Sequence, residues 1–373
     1  MRIVMLSKAC IVGAYQRKLE EIAAQSGAEL LALVPPCWQE GGRTTPLERA
    51  HTAGYRLQVL PMAWNGHFHL HYYPTLGRVL REFRPEIVHI DEEPYNLATF
   101  LAQRSARALG ARTLFFTWQN LFRRYPPPFR QLEAYVLRRS DFALVGNQEA
   151  EAVLRWKGYR GPAALVPQFG VDPQIYRPPE DAAPRAFSIG YAGRLVPAKG
   201  VDLLLEAVAG LEGSWRLRLA GAGPQREALQ ERARTLGIEG RVEWIAQLPS
   251  GGMPYFYGGL DVLVLPSRTM PNWKEQFGRV LIEAMACRVA VVGSSSGEIP
   301  HVIGDAGLVF AEGDAESLRV ALQRLLDDPV LRAELAARGR ERVLEKYTQA
   351  RIAADTVAVY RQMQRLDPSL RSG

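Results

Sequence analysis

Short apolar runs alternate with amphipathic segments along most of the chain. In the first half the pattern predicts strands at "RIVMLS", "LLALVP", "YRLQVLP", "EIVHID", "TLFFTW", "DFALVGN" and "ALVPQ". Segments with helical periodicity lie between several of these runs, at 15–26, 95–109 and 129–138. Continuous apolar strands interleaved with helices are typical of a parallel sheet that is covered on both faces.

A proline-rich segment then interrupts the pattern. The stretch "GVDPQIYRPPEDAAPRA" contains four prolines and cannot continue a helix or a central strand, so we predict a linker at 173–186. The alternation restarts with "FSIGYAG", "RLRLAG", "RVEWIA", "DVLVLPS", "VAVVGSS" and "AGLVFA". The sequence therefore predicts an α/β protein with two Rossmann-like, doubly wound domains, 1–172 and 187–348, and a ligand cleft between them.

The C-terminal segment, 349–373, begins with an amphipathic stretch up to residue 365 and ends in the polar tail "DPSLRSG". We expect the amphipathic stretch to form a helix that crosses back to the N-terminal domain. The tail has the composition of a frayed terminus.

Charge and cysteine content narrow the class of protein. Lys and Arg total 46 and Asp and Glu 39, and the resulting charge of +7 favours anionic partners. No basic run carries the interleaved aromatic residues of a nucleic-acid site, so nucleic acid is not expected as a partner. Three cysteines without metal-ligand spacing indicate a reducing, cytoplasmic setting. No window approaches twenty apolar residues, so no transmembrane helix is expected.

Two glycine-containing turns follow predicted strands in the second half. In "GYAGRLVPAKG" the cations Arg194 and Lys199 lie on the loop, where they suit a diphosphate, although a solvated basic loop has the same composition. In "LAGAGPQREAL" the residues Gly221 and Gly223 allow close approach of the backbone to a ligand, but such turns are also common structural features.

The stretch "KEQFGRVLIEAMAC" places Glu275 on a loop and Glu283 in the second turn of a predicted helix. Backbone N–H groups at the start of that helix favour an anion. Carboxylates on either side of a bound anion are best explained as acceptors for hydroxyl groups. We therefore expect Glu275 to hold a sugar and Glu283 a ribose; the alternative is two ordinary surface glutamates.

Together these stretches resemble the donor half of family 4 retaining glycosyltransferases, which have the two-domain GT-B fold and a Glu-x7-Glu spacing. The resemblance implies transfer of a sugar from a UDP-, GDP- or ADP-sugar to an acceptor hydroxyl, with retained configuration and with no metal or other cofactor. It implies catalytic roles for Arg194, Lys199 and Glu275. The implied donor contacts are Gly193, Arg194, Lys199, Gly221, Gly223, Gln247, Glu275, Gln276, Phe277, Gly278, Val280 and Glu283.

The first domain departs from that family's pattern. Only Gly13 stands where many members have a Gly-Gly pair, and Lys8 precedes it in the same loop, so we expect both residues on the acceptor side of the site. In "FFTWQN" the residue Gln119 occupies the place of a usual histidine, and glutamine can hydrogen-bond but cannot act as a base. Asp91 in "HIDEEPYN" is interpreted as an acceptor contact or a helix cap.

Three histidines, His67, His69 and His71, alternate in "HFHLH" and would share one face of a strand. The surrounding "WNGHFHLHYYP" has loop composition, so we expect an acceptor-loop or structural role rather than a metal site.

Besides sugar transfer, three functions fit the same motifs: an epimerase, a phosphorylase acting on activated sugars, and an inactive sugar-nucleotide-binding protein. Arg123 and Arg124 beside "YPPPF" also suggest peripheral association with a membrane.

Overall fold

The computed structural model describes residues 1–179 and 186–365, and it divides the chain into two compact units. Unit 1 comprises Met1–Gly170 and the C-terminal segment from Gln349, and unit 2 comprises Val171–Thr348. The boundary therefore falls two residues before the predicted one, and the start of the predicted linker belongs to unit 2. Residues 180–185 of that linker and residues 366–373 of the predicted tail lie outside the described residues.

Unit 1 is built on a parallel sheet of seven strands in the order β5-β2-β1-β6-β7-β8-β9. The strands in chain order are β1 Arg2–Leu6, β2 Glu29–Val34, β3 Cys37–Glu40, β4 Arg43–Pro46, β5 Arg56–Val59, β6 Ile87–Ile90, β7 Arg112–Thr117, β8 Phe142–Val145 and β9 Ala163–Leu165. Strands β3 and β4 form a separate antiparallel hairpin that the apolar pattern did not predict, because it is mostly exposed.

Helices cover both faces of this sheet. They are α1 Gly13–Ser26, α2 Leu76–Phe83, α3 Leu97–Ala108, α4 Phe129–Arg139 and α5 Gln148–Trp156. Alternate residues of β1 enter different cores: Ile3 and Met5 pack with residues of α1, whereas Val4 and Leu6 pack with residues of α2 and α3. The burial of the central strands explains why they are continuous apolar runs.

Unit 2 contains a parallel sheet of six strands in the order β12-β11-β10-β13-β14-β15. Its strands are β10 Phe187–Ala192, β11 Trp215–Ala220, β12 Val242–Ile245, β13 Val262–Leu265, β14 Ala290–Ser294 and β15 Leu308–Phe310. Its helices are α6 Val201–Ala209, α7 Arg226–Thr235, α8 Met253–Gly258, α9 Arg279–Ala286, α10 Ile299–Ile303, α11 Ala315–Asp327 and α12 Pro329–Lys346.

In both parallel sheets, the chain adds strands first on one side of the first strand and then on its other side. In unit 1 the strand β1 lies between β2 and β6, and in unit 2 the strand β10 lies between β11 and β13. Ligands in such open parallel sheets bind at the carboxyl ends of the strands, next to this switch point. The loops after β1 and β6, and those after β10 and β13, are therefore where the fold presents functional side chains.

The last helix, α13 Gln349–Arg365, packs on α1 within unit 1. Its buried Ile352, Val357 and Tyr360 join the same core as Leu19. The Tyr360 hydroxyl is 2.7 Å from Nδ1 of His89 in β6. Burial lowers the pKa of His89 to about 3, so this imidazole is neutral at physiological pH. In the part of the chain that the structure describes, no helix is long and apolar enough to cross a bilayer.

Candidate functional site

The loop after β10 is pressed against the loop after β13. Gly200 has a φ of +65°, and a Cβ atom there would lie 2.0 Å from the Pro266 carbonyl oxygen. The Arg268 N–H also donates to the Ala198 carbonyl at 2.8 Å. Only glycine permits both the backbone conformation and this approach. The contact places Lys199, at the end of a short 3-10 turn, beside the first residues after β13.

Lys199 and Glu275 meet at this switch point. The Lys199 ammonium donates to Oε2 of Glu275 at 2.6 Å, and the Ser267 hydroxyl donates to the same oxygen at 2.8 Å. The ammonium also lies 4.7 Å from the centroid of the Trp273 ring. Glu275 is buried, so its charge is compensated by these donors and not by solvent.

The loop after β14 fixes the backbone of Glu275. Gly297 has a φ of +56°, a Cβ there would lie 2.0 Å from the Glu275 carbonyl oxygen, and the Glu298 N–H donates to that oxygen at 3.2 Å. The Ser294 hydroxyl donates to the Ser267 carbonyl at 2.6 Å. These supporting residues were not predicted as site residues. The glycine in "SSSGEIP" and the serine that ends "DVLVLPS" are the signals that could have indicated them.

Glu283 lies on α9 and has different hydrogen-bond partners from Glu275. Its Oε2 accepts from the Tyr257 hydroxyl at 2.7 Å and its Oε1 from Nε of Arg279 at 2.8 Å. Burial, together with the nearby Glu283 charge, raises the pKa of Tyr176 well above its usual range. A carboxylate has about four lone-pair sites. Glu283 therefore keeps acceptor capacity for a ligand hydroxyl, and more if the half-exposed Arg279 moves.

Helix α9 is preceded by Gly278, whose φ is +78°. Among the described residues no side chain caps its first turn, so the helix dipole is not offset there by a protein carboxylate. Phe277 is buried, with its ring centroid 5.7 Å from that of Tyr347, and Gln276 and Val280 are half-buried beside it. The turn between the two predicted carboxylates thus has a fixed backbone.

The glycines after β10 and β11 serve the packing of two loops. A Cβ on Gly221 would lie 1.9 Å from the Gly193 carbonyl oxygen, and one on Gly223 would lie 2.3 Å from the Leu195 carbonyl oxygen. The Leu195 N–H donates to the Ala222 carbonyl at 2.9 Å. The structural interpretation of these glycines, which the sequence left open, is therefore sufficient to explain Gly221 and Gly223.

The remaining predicted donor residues lie on the surface of unit 2. Arg194 is exposed, and the Tyr191 hydroxyl holds its loop by donating to the Arg194 carbonyl at 2.7 Å. Gln247 is exposed on the loop that follows β12. A cavity of about 670 Å³ lies elsewhere on this unit, beside α8 and the segment Gln174–Pro179, and its lining includes none of the predicted site residues.

The carboxyl edge of unit 1 carries consecutive buried acids after β6. Asp91 accepts from the Ser7 hydroxyl at 2.7 Å, so its role in the structure is an internal contact rather than a helix cap. Glu92 pairs with Lys8 and lies 3.6 Å from Nε2 of His71. Burial alone would raise the pKa of Glu92, but the Lys8 and His71 charges hold it at about 2.

Glu93, the third acid, holds the turn that contains Gln119. It accepts from the Thr117 hydroxyl at 2.6 Å and from the Trp118 N–H at 2.8 Å. Burial raises the pKa of Glu93 to about 7, despite these bonds and the Lys8 charge. The Gln119 side chain is in turn bound by Lys157 at 2.6 Å. Sequence reasoning missed Glu93 and Lys157, because their partners are distant along the chain.

Gly13 contacts a side chain of unit 1, and the alternating histidines lie in turns, as their loop composition predicts. The Gly13 N–H, at the start of α1, donates to the Glu48 carboxylate at 2.6 Å. The segment "HFHLH" forms turns rather than a strand, which leaves His67 exposed, His69 half-buried and His71 buried. Within residues 1–179 and 186–365, no group of three or more His, Cys, Asp or Glu side chains is arranged to hold a metal ion.

Family models match both units. Residues 12–168 match the glycosyl transferase 4-like domain, and residues 174–342 match glycosyl transferases group 1. The two models together cover most of the chain, so the chain belongs to family 4 of the glycosyltransferases, which confirms the resemblance drawn from its motifs.

Curated relatives match part of the chain. The D-inositol 3-phosphate glycosyltransferase of Stackebrandtia nassauensis is 31% identical over 261 residues, which are 63% of this chain and 57% of the relative. A GDP-mannose-dependent alpha-(1-6)-phosphatidylinositol monomannoside mannosyltransferase of Mycolicibacterium smegmatis is 32% identical over 205 residues, 50% of this chain and 54% of the relative. The chain thus spans a little over half the length of these relatives.

Solved structures resemble the whole chain. Sucrose-phosphate synthase from Thermosynechococcus elongatus has a TM-score of 0.74 at 22% identity, covering 98% of this chain and 99% of that one. Anabaena HepE in complex with UDP has a TM-score of 0.75 at 15% identity, covering 97% and 100%. These likenesses confirm the predicted GT-B fold.

The glycine packing generates a prediction about stability. Gly221→Ala should destabilise unit 2 by about 3 kcal/mol or more, because the added methyl group overlaps the Gly193 carbonyl. The melting temperature should fall by roughly 6–12 °C, measured by calorimetry. Gly240→Ala is the matched control, since nothing lies within 4 Å of its added methyl group. Equal melting temperatures for the two variants would contradict the packing account.

Proposed function

We propose that this chain is a retaining glycosyltransferase that moves a sugar from a nucleotide-diphosphate sugar to an acceptor hydroxyl. The observation that carries the proposal is the Lys199–Glu275–Ser267 group at the switch point of unit 2. It combines a cation, a carboxylate and a hydroxyl on loops whose backbones are fixed. Family membership makes sugar transfer the reaction that this group is expected to serve.

The roles follow from charge. Positive potential for a diphosphate comes from Arg194, from Lys199 and from the first turn of α9. Among the described residues, no carboxylate caps that turn. Glu275 and Glu283 are hydrogen-bond acceptors for sugar and ribose hydroxyls. Because Lys199 already contacts Glu275, one ammonium group links the sugar-binding carboxylate to the phosphate that departs.

We assign leaving-group stabilisation to Lys199 and Arg194. When the glycosidic bond breaks, the bonding electron pair stays with the diphosphate oxygen, which gains negative charge. Fixed cations stabilise this developing charge more than the ground state and so lower the barrier. With these cations in place, we propose that transfer requires no divalent metal.

Names of similar proteins suggest which substrates to try first. HepE was crystallised with UDP, and several relatives are named as GDP-mannose-dependent mannosyltransferases or as D-inositol 3-phosphate glycosyltransferases. We propose a UDP- or GDP-sugar as donor and a polyol or its phosphorylated form as acceptor, with ADP-sugars as a third donor class.

The proposal is tested by a thermal-shift screen of UDP, GDP, ADP and their sugars, followed by transfer assays to D-inositol 3-phosphate in excess chelator. A bound donor should raise the melting temperature by mass action. Anomeric proton couplings of the product should show retention. A donor that binds but is never turned over would favour the inactive binding protein. Conversion of the donor into its epimer would favour an epimerase, and its cleavage by inorganic phosphate would favour a phosphorylase.

Substitution of Lys199 separates catalysis from binding. Lys199→Ala should lower kcat at saturating donor by about a hundredfold, equivalent to about 3 kcal/mol of transition-state stabilisation. Glu283→Gln should chiefly raise the donor KM, because ribose contacts change little during the reaction. Steady-state kinetics with the donor found in the screen measure both effects.

Arg232→Ala is a matched control, since this cation is paired with Glu206 on a helical surface of the same unit. Its kinetics should equal those of the unchanged protein. If Lys199→Ala raises only KM and leaves kcat intact, Lys199 anchors the donor and does not stabilise the leaving group.

We further propose that unit 1 docks on anionic membranes at the inner face of the cell membrane. Phe122 is 59% and Trp156 43% exposed, and their ring centroids are 5.8 Å apart. The Arg124 guanidinium lies 5.1 Å from the Trp156 ring, and residues 121–131 contain three arginines and no acid. Exposed aromatic rings with neighbouring arginines suit the headgroup region of an anionic bilayer.

Co-sedimentation tests this surface. Arg123→Ser combined with Arg124→Ser should weaken binding to vesicles of phosphatidylcholine and phosphatidylglycerol by about 2 kcal/mol, roughly thirtyfold. Tyr255→Ser, which removes an aromatic ring that is 87% exposed on unit 2, should leave binding unchanged. Equal binding to pure phosphatidylcholine vesicles would contradict the proposal.

A further inference from the structure

Hydrogen bonds hold both the backbone and the side chain of Gln119 in unit 1. Its N–H donates to the Thr117 hydroxyl at 3.1 Å, and that hydroxyl is bound by Glu93 at 2.6 Å. Its Oε1 accepts from the Lys157 ammonium at 2.6 Å, and the same ammonium is bound by Glu133. The Glu93 and Glu133 carboxylates are both buried, so water does not replace them as hydrogen-bond partners of Thr117 and Lys157.

Lys157 determines which way the Gln119 amide points. An ammonium group has three donors and no acceptor, so the amide oxygen must face it and the NH2 group must face away. Among the described residues, Nε2 of Gln119 has no hydrogen-bond partner, although Gln119 is only 6% exposed. A buried N–H group without a partner is costly, which indicates that this donor is completed by a bound molecule.

We propose that Nε2 of Gln119 donates a hydrogen bond to an oxygen of the acceptor substrate, either a polyol hydroxyl or an oxyanion. Lys157 is the positioning residue that fixes this polarity, and Glu133 holds Lys157. Assigning the bound molecule as the acceptor substrate rests on the proposed function, whereas the polarity of the site rests on these contacts alone.

Aromatic side chains surround the contact between Gln119 and Lys157. The Lys157 ammonium lies 5.1 Å from the Tyr125 ring, and the Tyr125 and Tyr95 ring centroids are 4.2 Å apart. His69 packs within 5.5 Å of both rings. Aromatic walls with a few fixed polar groups are typical of sites for small ligands, in which the polar groups set orientation. A ring-shaped polyol, with apolar C–H faces and hydroxyl edges, fits that combination.

The test observes the Gln119 side-chain amide directly. In full-length protein labelled with [15N]glutamine, its NH2 signal is assigned by its loss in Gln119→Glu. The probes are myo-inositol, inorganic phosphate and D-inositol 3-phosphate, each added without a donor. We expect a saturable shift with at least one probe: a response to myo-inositol identifies a hydroxyl and a response to phosphate identifies an oxyanion.

Two variants test the polarity. Gln119→Glu keeps an oxygen for Lys157 but replaces the outward donor by an acceptor, so its melting temperature should be unchanged or higher while probe affinity, measured by calorimetry, falls at least tenfold. Lys157→Met should weaken probe binding to a similar extent. Since that variant leaves Glu133 unpaired and could fail to fold, Lys157→Met combined with Glu133→Leu removes both charges.

The proposal is overturned if no probe shifts the signal, or if Gln119→Glu binds the probes as tightly as the unchanged protein. It is also overturned if the folded Lys157 variants keep full affinity. All readouts are taken without a nucleotide sugar, so a failure here leaves the donor site of unit 2 untouched. Likewise, a failure of donor binding in unit 2 would not change the result of these probe-binding experiments.

Discussion

The ion pair between Lys199 and Glu275 is the contact on which the site in unit 2 depends. These residues are distant along the chain, and the strand order brings them together by placing β10 beside β13. Two glycine contacts, Gly200 against Pro266 and Gly297 against Glu275, leave the loops little freedom to separate. The buried carboxylate is therefore held in one position before any ligand arrives, which is the preorganisation that electrostatic catalysis needs.

Unit 1 repeats this arrangement with different chemistry. The loop after β1 supplies Lys8 and the loop after β6 supplies Glu92, so each unit pairs a lysine with a glutamate across its switch point. In unit 1 the glutamate is followed by Glu93, and together with Asp91 it forms a buried acidic row. In the proposed function, unit 2 supplies the cations for a diphosphate, whereas unit 1 offers fixed hydrogen-bond donors and acceptors beside aromatic rings.

Local patterns were enough to predict much of the fold. The apolar runs identified the strands of both sheets, because strands buried on both faces have few polar residues. The hairpin of β3 and β4 was missed, since its exposed residues carry no such run. Glu275 and Glu283 were predicted from their spacing, but their partners Ser267 and Tyr257 were not. Those contacts, like Lys157 on Gln119, depend on which strands become neighbours, and no local periodicity records this.

The most direct test of the account is a crystal structure of the protein with the nucleoside diphosphate that stabilises it best. We predict the diphosphate at the first turn of α9 beside Arg194 and Lys199, with the ribose hydroxyls on Glu283. A nucleotide bound instead in the cavity beside Tyr255, or one whose phosphates lie away from Lys199, would contradict the assignment of the Lys199–Glu275 group as the centre of the donor site.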